Sequence, residues 1–182
     1  MNIPRRQSRG GSAGFTLIEI LVVVVIIGII VTFATLSIGN RALDDRLETE
    51  SERLQQLLQL ASEEAETKGI ELGFRYTAEG YAFYATGKTG KWEPYPTTGP
   101  LRPRVLPQPF YLELQVEGRP VPPAVDAQDG KETKIEPQFL LLSSGDITAA
   151  ALDLKAPGYA PHYHIECSEL GKVTRTRVEE GS

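Results

Sequence analysis

Cysteine occurs once in the 182 residues, at Cys167, so no intramolecular disulfide can form and packing alone must hold the fold. Catalytic signatures are missing as well. There is no Gly-x-Ser-x-Gly elbow, phosphate-binding loop, zinc-protease helix or Cys-x-x-Cys pair, so the chain is not expected to be an enzyme or to carry a cofactor. Positive charge is in short supply. The formal net charge is −5, and three of the cations, Arg5, Arg6 and Arg9, lie in the first ten residues. That balance disfavours general attraction to nucleic acid, which would need a local basic patch. Charge of either sign is nearly absent between Phe15 and Ile38, where Glu19 is the one ionisable residue.

That apolar run sets the class of the protein. FTLIEILVVVVIIGIIVTFATLSI, residues 15–38, would reach roughly 36 Å as a helix, enough to span a hydrocarbon core. The arginines on its N-terminal side predict a cytoplasmic leader and an outward-facing remainder. A secretory signal places its small-residue cleavage site after the apolar region. Here the small residues Gly10, Gly11, Ser12, Ala13 and Gly14 precede it. Cleavage among them would leave the apolar helix on the mature chain. A charge inside a membrane helix costs about 2.5–3.5 kcal/mol at the centre and is usually functional, so Glu19 is the leading candidate site residue.

After Ile38 the pattern becomes amphipathic. Leu43, Leu47, Leu54, Leu57, Leu58, Ala61 and Ala65 recur at helical steps among polar residues, predicting a helix over 39–69 that stops at Lys68-Gly69. Gly39-Asn40 is the predicted bend between the two helical parts. From Ile70 the period drops to two. Ile70, Leu72, Phe74 and Tyr76 alternate with Glu71, Gly73 and Arg75, then a turn leads to Tyr81-Ala82-Phe83-Tyr84, predicting a half-buried hairpin. Residues 94–109 hold six prolines, which predicts an extended loop or edge. Phe110–Val116 reads as a strand and 117–137 as a polar loop. Phe139–Leu142, Ile147–Leu154, Tyr163–Cys167 and Lys172–Val178 are the remaining strand candidates. The expected class is α+β, with residues 70–182 a globular domain of mostly antiparallel β packed on one helix.

Three clusters carry residue types suited to binding chemistry. On a strand, His162, His164 and Glu166 share a face, but alternation buries Tyr163, Ile165 and Cys167 and leaves the histidines polar-side, so no metal site is expected. Asp126-Ala127-Gln128-Asp129-Gly130 departs from a calcium loop in its glycine position and lacks the late glutamate. Arg175 and Arg177 share one face of the last strand and form the candidate nucleic-acid contact. Glu179 and Glu180 follow them, and a solvated edge strand is the expected reading. Trp92, between turn residues, reads as a cap on a core.

Gly14-Phe15-Thr16-Leu17-Ile18-Glu19, behind a short basic leader, resembles the class III signal of type IV prepilins and type II secretion pseudopilins. The resemblance implies a leader over 1–14, cleavage between Gly14 and Phe15 by prepilin peptidase, and N-methylation of Phe15. It further implies that Glu19 meets the N-terminal ammonium of a neighbouring subunit's first residue. The segment from Arg53 to Ala65, with Leu72-Gly73-Phe74-Arg75-Tyr76, Gly80–Tyr84 and Phe139–Thr148, resembles the minor pseudopilin H family. That family implies a type IV pilin-like fold, a long helix whose first half crosses the membrane followed by a β-sandwich. It implies an inner-membrane anchor, a periplasmic domain, and partnership with major and minor pseudopilins, an inner-membrane assembly platform and exported proteins. A minor pilin of a type IV pilus or DNA-uptake filament is the alternative, and nucleic acid is otherwise not an expected partner. An anchored domain unrelated to filaments is the more distant one.

Overall fold

A computed structural model describes residues 16–87, 90–95, 98–125 and 135–179, the side chains of residues 33–40 excepted. The predicted leader with Arg5, Arg6, Arg9 and Gly14, the processed position Phe15, and the Asp126–Gly130 turn lie outside the described residues. The chain divides into two units, Met1–Leu43 and Asp44–Ser182.

One helical element, α1 (Leu17–Lys68), runs through both, and its backbone is helical across Gly39-Asn40. It ends where a cation and glycine predicted. Gly69 takes a left-handed φ of 63°, Ile70 N donates to Ala65 O, and Gly69 N donates to Glu66 O, which closes the last carbonyls in a Schellman arrangement.

Among the described residues ten strands follow, all paired antiparallel. Sheet A contains β1 (Leu72–Tyr76), β2 (Gly80–Thr86), β3 (Trp92–Tyr95), β4 (Arg104–Val105) and β7 (Phe139–Leu141), in the order β3-β2-β1-β7 with β4 also on β2. Sheet B contains β5 (Tyr111–Val116), β6 (Arg119–Val121), β8 (Ala150–Ala156), β9 (Tyr159–Cys167) and β10 (Val173–Val178), in the order β10-β9-β8-β5-β6. Of the predicted apolar stripe of the helix, Leu47, Leu54, Leu57, Leu58, Ala61 and Ala65 are core residues, and Leu43 is half-buried. The same part of the helix bonds both sheets. Glu50 and Glu64 accept from the hydroxyls of Tyr81 and Tyr95 in sheet A, and Gln55 donates to Val173 O in sheet B.

Two sequence expectations need correction. The hairpin was expected to be half-buried, yet all five residues of β1 are buried, Gly73 and Arg75 included. The second face of β1 is covered as well: Pro137 and Trp92 lie over Gly73, and Arg75 Nη2 donates to Val125 O at 3.4 Å. Burial on both sides hides the period-two signal. Residues 117–137 were read as loop, but β6 pairs with β5 across a two-residue turn in which Glu117 and Gly118 both have positive φ. Pro120 masked that strand, since proline is tolerated only where no ladder donor is needed, as at this edge.

Gly73 is the tightest point beneath the cover. A β-carbon there would overlap the Pro137 ring and come within 3.2 Å of Trp92 Cζ3, so Trp92 caps this second layer. Substituting Gly73→Ala is expected to lower stability by about 1–3 kcal/mol through overpacking. Urea unfolding of the two proteins measures this, and an unchanged midpoint would mean the cover is not packed against β1.

Candidate functional site

Glu19 sits in the first turn of α1, where the sequence Thr16-Leu17-Ile18-Glu19 forms the helix start. Glu19 N donates to Thr16 Oγ1 at 3.3 Å and to Thr16 O at 3.1 Å, so Thr16 caps the helix. Thr16 was not singled out from the sequence, although Thr-x-x-Glu ahead of an apolar run is a capping-box signature. The position also favours the carboxylate, because the unpaired N–H groups and aligned peptide dipoles make a helix N-terminus electropositive. Beyond it every large apolar side chain from Leu17 to Val31 is exposed, on all sides of the helix. Helices that are apolar all round are ordinarily buried in protein or lipid. Thr32 does not break this character, since its hydroxyl donates back to Gly28 O at 2.8 Å. Among the described residues no helix is long and apolar enough to cross a membrane. The apolar run with described side chains ends at Thr32, and residues 33–38, the rest of the predicted span, lie outside them.

The two C-terminal arginines are held by the helix. Arg175 Nη1 donates to Ser51 Oγ at 3.0 Å and lies 3.4 Å from Glu48 O, Nη2 is 4.0 Å from Glu48 Oε1, and the guanidinium covers the Tyr163 ring at 4.9 Å. Arg177 Nη1 binds Asp44 Oδ2 at 2.9 Å and Nε binds Glu179 Oε1 at 2.7 Å. Instead of a solvated pair, the strand carries two staples to α1, and each cation already faces a carboxylate. Burial raises the Tyr163 hydroxyl above its ordinary pKa, with Glu48 adding to the shift and both arginines opposing it.

The histidines face away from the core, as alternation predicted: Tyr163, Ile165 and Cys167 are buried between them. His164 Nδ1 lies 2.7 Å from Asp153 Oδ1, and His162 Nε2 lies 4.0 Å from the same oxygen. Asp153, not Glu166, is thus their acidic neighbour, supplied by the adjacent strand β8. No group of three potential ligands capable of holding a metal occurs among the described residues. Burial pushes the Cys167 thiol up to about 12, which keeps it protonated and unreactive at neutral pH.

The arginine staples are unequal. Arg175 satisfies a fully buried serine and stacks on a buried ring, whereas Arg177 is exposed and its ion pairs are screened. Replacing Arg175 by alanine should cost about 2 kcal/mol, and replacing Arg177 less than about 1 kcal/mol. Urea denaturation of both variants distinguishes them, and equal small losses would show that neither arginine anchors the strand.

Residues 9–35 match the prokaryotic N-terminal methylation motif. Type II secretion system protein H of Pseudomonas aeruginosa is 32% identical over 151 residues, covering 81% of this chain and 85% of that protein. The protein of the same name from Aeromonas hydrophila is 28% identical, with 94% and 97% covered. Among solved structures, the minor pseudopilin EpsH of Vibrio cholerae superposes with a TM-score of 0.61 at 19% identity, over 77% of this chain and 99% of that one. The solution structure of Escherichia coli GspH gives 0.55, also at 19%, over 74% and 89%. The fold is therefore the α+β, type IV pilin-like fold of these pseudopilins. With the methylation motif at its start and a relative this similar across most of its length, the chain belongs to the type II secretion system protein H family.

Proposed function

We propose that the protein works as a minor pseudopilin, a structural subunit that enters a secretion filament through the apolar part of α1 and performs no catalysis. The observation that carries this reading is Glu19: a carboxylate in the capped first turn of a helix whose other described side chains up to Val31 are apolar and exposed or small. Such a helix buries its surface only among lipid tails or other apolar helices. Once there, a lone carboxylate is most favourable beside a cation. The new N-terminus of a second processed subunit, at its Phe15, supplies one.

In this reading residues 1–14 are the leader, removed between Gly14 and Phe15 by prepilin peptidase with methylation of Phe15. Arg5, Arg6 and Arg9 hold that leader on the cytoplasmic side. Residues 15–38 anchor the chain in the inner membrane before assembly, and the helix from 39–69 with the β-domain 70–182 is periplasmic. The partners are other pseudopilins, the peptidase and an inner-membrane assembly platform, and the filament's extension drives folded proteins across the outer membrane. The rival, a DNA-uptake or pilus subunit, asks for a free basic patch near the C-terminus. The engagement of Arg175 and Arg177 by Asp44, Glu48 and Glu179 weighs against it.

Replacing Glu19 by leucine tests the role of the charge without shortening the apolar helix. Membrane insertion and leader cleavage should be retained, while recovery of the variant in filaments pulled down through another pseudopilin should fall at least about tenfold, the equivalent of one charge pair at roughly 1.4 kcal/mol. Recovery equal to wild type would defeat the pairing.

A further inference from the structure

A strand at the edge of a sheet leaves a row of backbone groups unpaired, and natural edges are usually guarded by shortness or proline. Four of the edge strands among the described residues are guarded in that way. The far edge of sheet B is the three-residue β6 with Pro120 at its centre. In sheet A, β3 carries Pro94, and β7 is three residues long and follows Pro137. Strand β4, two residues between Pro103 and Leu106, is no longer. The exception is β10. Its six residues, Val-Thr-Arg-Thr-Arg-Val, contain no proline or glycine, and it lies at the open end of sheet B.

The register shows which groups are open. Ser168 N donates to Lys172 O, and Thr174, Thr176 and Val178 stand opposite Glu166, His164 and His162. These even-numbered residues are in phase with the bonded pair and turn their backbone groups to β9. The odd-numbered residues turn theirs outward, as the Gln55 side chain confirms by donating to Val173 O from outside the sheet. Among the described residues the N–H and C=O groups of Arg175 and Arg177 therefore form an open ladder beyond that bond.

Alongside this edge, α1 and β10 bound a groove of ≈ 320 Å³ lined by Glu52, Gln55, Gln56, Gln59, Glu63 and Arg175, among others. Its charge is unbalanced. Arg175 is answered by Glu48, while Glu52 and Glu63 receive only the side-chain amides of Gln56 and Gln59 and meet no cation among the described residues. A strand laid against β10 would turn alternate side chains toward these carboxylates, and the others to the side of the sheet that carries Thr174 and Thr176.

We propose that the free edge of β10 is a strand-addition site for an extended segment of another protein with lysine or arginine at alternate positions. Backbone bonding to Arg175 and Arg177 supplies the affinity, and Glu52 and Glu63 select the basic side chains. The site uses neither Glu19 nor the apolar helix, so it stands or falls separately from the assembly reading.

The test uses the full chain in detergent micelles and a short blocked peptide of alternating lysine and threonine, with a glutamate-threonine peptide as its counterpart. The lysine peptide should bind at least about tenfold more tightly, and Glu52→Lys with Glu63→Lys should remove most of that preference. Glu79→Lys with Glu93→Lys, which makes the same change of charge beside sheet A, should leave it within about threefold. Amide exchange at Arg175 and Arg177 should slow on binding, while Thr174 and Thr176, already bonded to β9, stay unchanged. Equal binding of the two peptides, or tight binding without slowed exchange at Arg175 and Arg177, would overturn the proposal. Slowing that appears when the chain alone is concentrated would make the occupant a second copy and overturn it as well.

Discussion

Six apolar side chains of α1, Leu47, Leu54, Leu57, Leu58, Ala61 and Ala65, are at most 5% exposed, and their removal from water couples the helix to both sheets. Each buried leucine contributes about 2 kcal/mol, so together the four outweigh the polar contacts the helix makes. Neither sheet could take this position alone, because the helix bonds sheet A through Tyr81 and Tyr95 and sheet B through Val173 and Arg175. The consequence is a division of labour along one element. From Asp44 onward the helix is the spine of a folded domain, and between Leu17 and Val31 its apolar surface is open.

That division explains how a chain with a single cysteine can present an exposed apolar helix and a folded domain together. The stripe from Leu47 to Ala65 needs only the chain's own sheets to cover it. On the proposed reading, the Leu17–Val31 surface is covered by lipid or other helices and Glu19 is met by a cation. A filament of like subunits meets both needs at once, which is why the capped, charged first turn rather than any cavity is the centre of the functional reading. The β-domain contributes differently, by offering surfaces. On its sheets Arg175 and Arg177 are committed inward to α1, leaving backbone rather than side-chain cations as the open chemistry of the last strand.

Much of this was legible in the residues, for physical reasons that differ by element. The helical stripe and the Lys68-Gly69 stop follow from periodicity and from glycine's tolerance of positive φ, and both lie where predicted. The strand Tyr111–Val116 alternates cleanly because only one of its faces is covered. In contrast, Leu72–Tyr76 is covered on both, and Arg75 gave no sign of burial because the segments that cover it are distant in sequence. The α1 partners of Arg175 and Arg177, Ser51 and Asp44, were illegible for the same reason, being more than a hundred positions away. The capping role of Thr16 was legible in the Thr-x-x-Glu spacing but hidden behind the stronger signal of the lone charge.

Deleting the gene in its host, with restoration of the wild-type chain as control, tests the central claim most directly when secreted protein in the medium, surface motility and DNA uptake are measured side by side. The account predicts loss of secretion with motility and uptake intact. Intact secretion with lost motility or uptake would contradict it and place the protein in a pilus instead.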